Sequence, residues 1–132
     1  FRLDGAWRSI VTAFYNLFMI ALWPKIGSVD VNGSPKILHR DVLAAMKLES
    51  RDWLLDPEIM IKAGYMGVSV IEMNSFARMR EHGESHVQVD TIWMFISTLL
   101  QFRFGSKLKN WRLEYDRAGS LQDRVLTKNK VE

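Results

Sequence analysis

The chain is 132 residues long and 48% hydrophobic, enough for one small domain with its own core and too apolar for a disordered segment. It has no cysteine, which excludes disulfides, thiolate metal sites and cysteine nucleophiles, and its three histidines, His39, His82 and His86, are too scattered for a zinc site. A net charge of +3 favours anionic partners slightly, and nucleic acid, phospholipid headgroups and phosphorylated ligands are all compatible with it.

The chain opens with Phe1 and shows no signal-peptide order of basic, apolar and small residues, so it is expected to begin inside a longer protein. The stretch "DGAWRSIVTAFYNLFMIALWP" predicts a helix with Asp4 as N-cap and Pro24 as its stop, and Ile10, Phe14, Leu17 and Ala21 as its apolar face. Arg8, Thr12 and Asn16 recur every four residues and form a second, polar face. The apolar run is broken too often to span a bilayer by itself.

After Gly27, the turn formers Asp30, Asn32, Gly33 and Pro35 crowd together, and "KILHR" reads as a short strand feeding a helix from Asp41 to about Met46. "LLDPEIMIKAGYMG" predicts a helix with Asp56 as N-cap, Pro57 at its first position and Gly67 as C-cap, followed by "VSVIEM" as a strand. A charged loop, "ARMREHGESHVQ", leads into "DTIWMFISTLLQFRF", a core helix or one lying along an interface. Residues 105–132 read as a polar, basic and weakly ordered tail. No repeat or low-complexity segment is present.

Three motifs stand in a telling order: Asp30-Val31-Asn32-Gly33-Ser34-Pro35-Lys36, then Asp56-Pro57-Glu58-Ile59 before a helix ending Gly-Val-Ser-Val-Ile-Glu, then Arg80-Glu81-His82-Gly83-Glu84-Ser85. Together with Arg8, Thr12 and Asn16 on the preceding helix, this set resembles the later half of family-2 glycosyltransferases, most closely the dolichol- or polyprenyl-phosphate sugar transferases. The resemblance covers roughly residues 1–104, and its specificity lies in the ordered set. His86 stands where the family most often has lysine. The family's nucleotide-binding half, with its Asp-x-Asp metal motif, has no counterpart here.

The resemblance implies an α/β fold, the acceptor-side, C-terminal portion of a GT-A (Rossmann-like) domain that is helix-rich with a few short strands. It also implies an inverting transfer from a nucleotide-sugar donor to a polyprenyl or dolichol phosphate at the cytoplasmic face of a membrane. The family's Mg2+ or Mn2+ would be held by residues outside this chain, which would be inactive alone. Arg8, Thr12, Asn16, Asp30, Asn32, Gly33 and Lys36 would bind the acceptor phosphate, and Arg80, Gly83, Ser85 and His86 would form a loop over the donor phosphates. Asp56 falls where members using hydroxyl acceptors keep a carboxylate base, with Glu58 a secondary candidate.

The chemistry suits these residue types. A phosphate acceptor is already ionised at neutral pH, so the transfer needs positive charge around two anionic groups more than it needs a base. Each residue also has a plainer role: Asp56 before Pro57 is an ordinary helix cap, Glu58 can pair with Lys62 one turn on, and Asp, Asn, Gly and Pro make turns everywhere. Ser85 has no histidine and acid patterned around it as a triad. Two alternatives remain open, a family-2 transferase acting on a hydroxyl acceptor and a non-catalytic membrane-surface module. A nucleic-acid partner is not expected, because the basic residues and five tryptophans do not cluster on one element.

Overall fold

The computed structural model describes residues 3–28, 30–73 and 89–120, with side chains in the first helix from Ser9 and in the helix beginning at Val89 from residue 92. The first helix, α1 (Leu3–Leu22), ends before Trp23 and Pro24, where the proline ring disfavours helical backbone in the residue preceding it. Its buried side is not the expected one. Met19 and Trp23 are in the core with Tyr15, Phe18 and Leu22 packed against it, whereas Ile10, Phe14 and Leu17 are 60%, 61% and 65% exposed and Ala21 is also exposed. The helix is apolar nearly all round, so periodicity alone could not say which stripe meets the rest of the chain.

An irregular segment follows, pinned at Ile26, Ser28 and the fully buried Val31. It leads to α2 (Arg40–Met46), whose first turn is capped by the His39 imidazole accepting from the Asp41 N–H. Residues 52–54 form a 3-10 turn that runs directly into α3 (Leu55–Met66). Asp56 is therefore inside the helix rather than its N-cap, and Pro57 lies in its first turn, where its missing N–H costs nothing. Gly67 ends α3 at φ 68°, with the Val68 N–H returning to the Ala63 carbonyl at 3.0 Å, a left-handed close that a side chain would strain. The last two helices are α4 (Val89–Phe104) and α5 (Ser106–Arg117).

The expected α/β architecture is not adopted. The described residues contain five α-helices and no strand, so no Rossmann-like sheet is present among them. Lys36–Arg40 and 68–73 were the expected strands; the first runs irregularly into α2, and the second forms no strand among the described residues. A strand is stabilised by a neighbour's ladder of hydrogen bonds, and β-branched residues without one remain irregular.

The expected tail also carries structure. Leu108, Trp111 and Tyr115 recur at helical spacing on α5 and are buried, while its Lys and Arg residues face outward. Residues 121–132 of that tail lie outside the described residues.

One core joins the helices. α3 is its centre, buried continuously from Pro57 to Ala63, with α2 and α5 on one side and Met19, Ile26 and Val31 on another. Gly64 lets the Lys25–Ile26 backbone lie directly on α3, since a Cβ there would sit 2.5 Å from the Lys25 carbonyl oxygen.

The turn joining α2 to α3 is organised by two buried charges, Glu58 and Lys62, which are 1% and 2% exposed. Lys62 donates to Glu58 at 2.5 Å and to the carbonyls of Met46 and Lys47 at 2.8 and 3.1 Å, at the C-terminus of α2 where unpaired carbonyls favour a cation. Glu58 accepts from the Ser50 N–H at 2.7 Å and from the Glu49 N–H at 3.3 Å. Trp111 covers Lys62 with its ring, 4.9 Å away, and donates its indole N–H to the Ala45 carbonyl.

Candidate functional site

The turn at 30–36 is shaped by backbone and by two neighbours. The Gly33 N–H returns to the Asp30 carbonyl at 3.0 Å, and a Cβ on Gly33 would press on that same oxygen at 3.1 Å. The Ser34–Pro35 peptide is cis. From α1, the Asn16 amide oxygen accepts the Val31 N–H at 3.4 Å, and from the far side Glu72 accepts from the Ser28 hydroxyl and, at 3.3 Å, from the Asp30 N–H. A segment from α1, the turn and the stretch after α3 thus meet in one place.

Lys36 closes this cluster. Its ammonium donates to the Gly33 carbonyl at 2.5 Å and to Asp56 Oδ1 at 2.9 Å, bridging the turn to the first turn of α3. The lysine side chain is 16% exposed and the Asp56 side chain 42%, so the pair sits at the protein surface with its acid facing water. Held by two fixed acceptors, the ammonium is a positioned charge rather than a freely solvated one.

Five of the candidate residues, Asn16, Asp30, Gly33, Lys36 and Asp56, therefore converge from three separate parts of the sequence. Asn32 is exposed on the turn and Thr12 is exposed on α1, while Arg8 lies in the N-terminal part of α1. Glu58 is not part of this cluster; roughly 200° round the helix from Asp56, it is taken up by Lys62 and the 49–50 backbone. Arg80, Gly83, Ser85 and His86 lie outside the described residues.

Two participants were not singled out from the sequence. Glu72 closes the stretch "GVSVIE" that belongs to the ordered motif set, so its position was a signal. Tyr15 carried none, because an aromatic residue beside Asn16 reads simply as apolar surface. Its ring meets Phe95 edge to face at 6.3 Å, and its hydroxyl is buried with no hydrogen-bond partner of good geometry among the described residues. Burial pushes the phenol up to about 12; the nearby Asn32 side chain pulls against this, and the charge of Asp56 adds to it.

Beside the start of α3 lies a small, mainly apolar cleft of about 120 Å³, floored by Pro57 and Leu99 and walled by Trp53 and Phe95. Trp53 and Phe95 meet edge to face at 5.2 Å, so Phe95 connects the cleft with Tyr15 and the turn.

No group of three or more His, Cys, Asp or Glu side chains among the described residues could hold a metal ion. Of the cluster's carboxylates, Asp56 is engaged by Lys36, and Glu72 by the Ser28 hydroxyl and the Asp30 N–H. No helix among the described residues is long and apolar enough to cross a membrane. No family model, curated protein or solved structure matches the chain.

Proposed function

We propose that this chain is the acceptor side of an inverting family-2 glycosyltransferase, with the turn at 30–36 and the start of α3 facing the phosphate of a polyprenyl-phosphate acceptor. The observation that carries this reading is the Lys36–Asp56 contact, which joins residues 20 apart in sequence from two motifs of the ordered set. Nothing local in either motif requires the other. Their meeting at a partly open surface, beside an apolar cleft, supports a site that takes a charged head and an apolar tail.

In the proposed transfer, an acceptor phosphate oxygen forms a bond to the anomeric carbon as the bond from that carbon to the nucleotide's terminal phosphate breaks. The nucleoside diphosphate leaves with the electron pair. No proton has to be removed from an ionised phosphate, so Asp56 serves to hold Lys36 in place, and Lys36 holds the incoming oxygen. A hydroxyl acceptor would instead need Asp56 as its base.

The test uses the 132-residue chain and phosphatidylcholine vesicles carrying either undecaprenyl phosphate or undecaprenol. Binding selective for the phosphate-bearing vesicles, and lost in Lys36→Ala with helical content retained, is the expected result. Equal binding to both vesicles would overturn the proposed phosphate site.

A second reading, a membrane-surface module without catalysis, is favoured by one observation. Ile10, Phe14 and Leu17 form an outward apolar stripe on α1, and Trp93, Leu100 and Phe104 are exposed on α4, which carries Arg103 and is followed by Lys107, Lys109 and Arg112. That reading predicts binding to anionic vesicles that ignores Lys36.

A further inference from the structure

Several polar groups around the turn are engaged with one another, and one buried hydroxyl stands apart from them. Asn16 is bound to the Val31 N–H, Lys36 to Gly33 and Asp56, and Glu72 to Ser28 and the Asp30 N–H. The Tyr15 hydroxyl is enclosed and, among the described residues, makes no hydrogen bond of good geometry, with the Asn32 side chain as its polar neighbour. A buried hydroxyl without a hydrogen bond is a cost that phenylalanine would avoid while keeping the same ring against Phe95. Asn32 on the turn and Asp56 at the start of α3 both act on this hydroxyl, and Asp56 is the residue to which Lys36 donates.

We infer that Tyr15 is a ligand-binding residue whose hydroxyl donates to a phosphate oxygen held at Lys36. This rests on the phosphate-site reading above and adds to it a residue outside the ordered motif set. The phenol is suited to the task. It is a neutral donor at physiological pH, so it can bond an anion beside Asp56 without adding the desolvation cost of another buried charge. Asn16, the next residue in sequence, ties α1 to the turn, so the helix that carries the hydroxyl also fixes its distance from Lys36. Phe95 supports the other side of the ring and extends to the cleft at Trp53, where the first apolar units of a prenyl phosphate would follow its head.

The experiment is titration of the full chain with farnesyl phosphate, with farnesol as the phosphate-free control, for wild type, Tyr15→Phe and Lys36→Ala, each also unfolded in urea. Tyr15→Phe is expected to weaken farnesyl phosphate binding about tenfold, to leave farnesol unchanged, and to keep or raise the urea midpoint. Farnesyl phosphate affinity within about twofold of wild type would overturn the assignment, and so would a lowered urea midpoint, which means the hydroxyl is already bonded inside the protein. Binding lost in Lys36→Ala but kept in Tyr15→Phe overturns the Tyr15 assignment alone; a wild-type chain that does not bind farnesyl phosphate overturns the phosphate site with it. A readout free of any variant is the Tyr15 13Cζ resonance of wild type, which must shift on adding farnesyl phosphate and not on adding farnesol.

Discussion

Lys62→Met is the most direct probe of what holds the α2–α3 corner together. Methionine nearly matches the volume of the lysine stem, so the change removes charge and donors and leaves little cavity. Three acceptors lose their partner at once: the Met46 carbonyl, the Lys47 carbonyl and Glu58, which keeps only the backbone N–H groups of residues 49 and 50. Breaking a buried pair from one side costs about 3–5 kcal/mol, a large share of the roughly 5–15 kcal/mol that stabilises a domain of this size. With a urea m-value of about 2 kcal/mol/M, the midpoint should fall by about 2 M. Denaturation followed by far-UV circular dichroism measures this, and adding Glu58→Gln to Lys62→Met should cost less than the sum of the two single changes, because the stranded charge is gone. A midpoint moved by less than about 0.3 M, or strict additivity, would refute the view that this pair organises the corner.

Two further expectations follow from the same packing. Alanine is normally better than glycine inside a helix by about 1 kcal/mol, yet Gly64→Ala should destabilise the chain by about 1–3 kcal/mol, because its Cβ would press on the Lys25 carbonyl at 2.5 Å; a raised melting temperature would contradict the close approach. Burial alone would raise the Glu58 carboxyl, but hydrogen bonds from Lys62 and Ser50 outweigh it and hold the group below the ordinary range. Its stabilisation is therefore fully present above the ordinary glutamate value of 4.5 and is lost as pH falls through the depressed folded value. The stability gap between wild type and Glu58→Gln should narrow on acidification, and a gap constant from about pH 6 to pH 3 would refute the assignment.

The candidate site was legible in part, because its residues are of types that carry chemistry even when read singly. Asp30, Gly33 and Lys36 stand together in a turn that any reading would mark, and the Asn16 amide is spaced with polar neighbours on an otherwise apolar helix. Tyr15 was not legible, since what distinguishes it is a buried hydroxyl with no hydrogen bond of good geometry among the described residues, and partnership is a property of the folded chain. Asp56 illustrates the limit most plainly. Locally, an acid before Pro57 is an N-cap, but the 3-10 turn at Asp52–Leu54 begins the helical course earlier and leaves the carboxylate free to reach Lys36.

The sequence by itself determined where most of the helices lie, because capping, proline and glycine act within a few residues of where they stand. Pro24 stops α1, Gly67 closes α3, and the spacing within residues 40–46 and 89–104 is enough for α2 and α4. Only the tertiary structure decided which side of α1 is buried, that Leu108, Trp111 and Tyr115 turn a basic stretch into a packed helix, and that 68–73 forms no strand among the described residues. The physical reason is common to all three. Burial and strand pairing are made by partners distant in sequence, and a side chain's own identity sets what it can contribute to such a contact, not whether the chain brings the partner there.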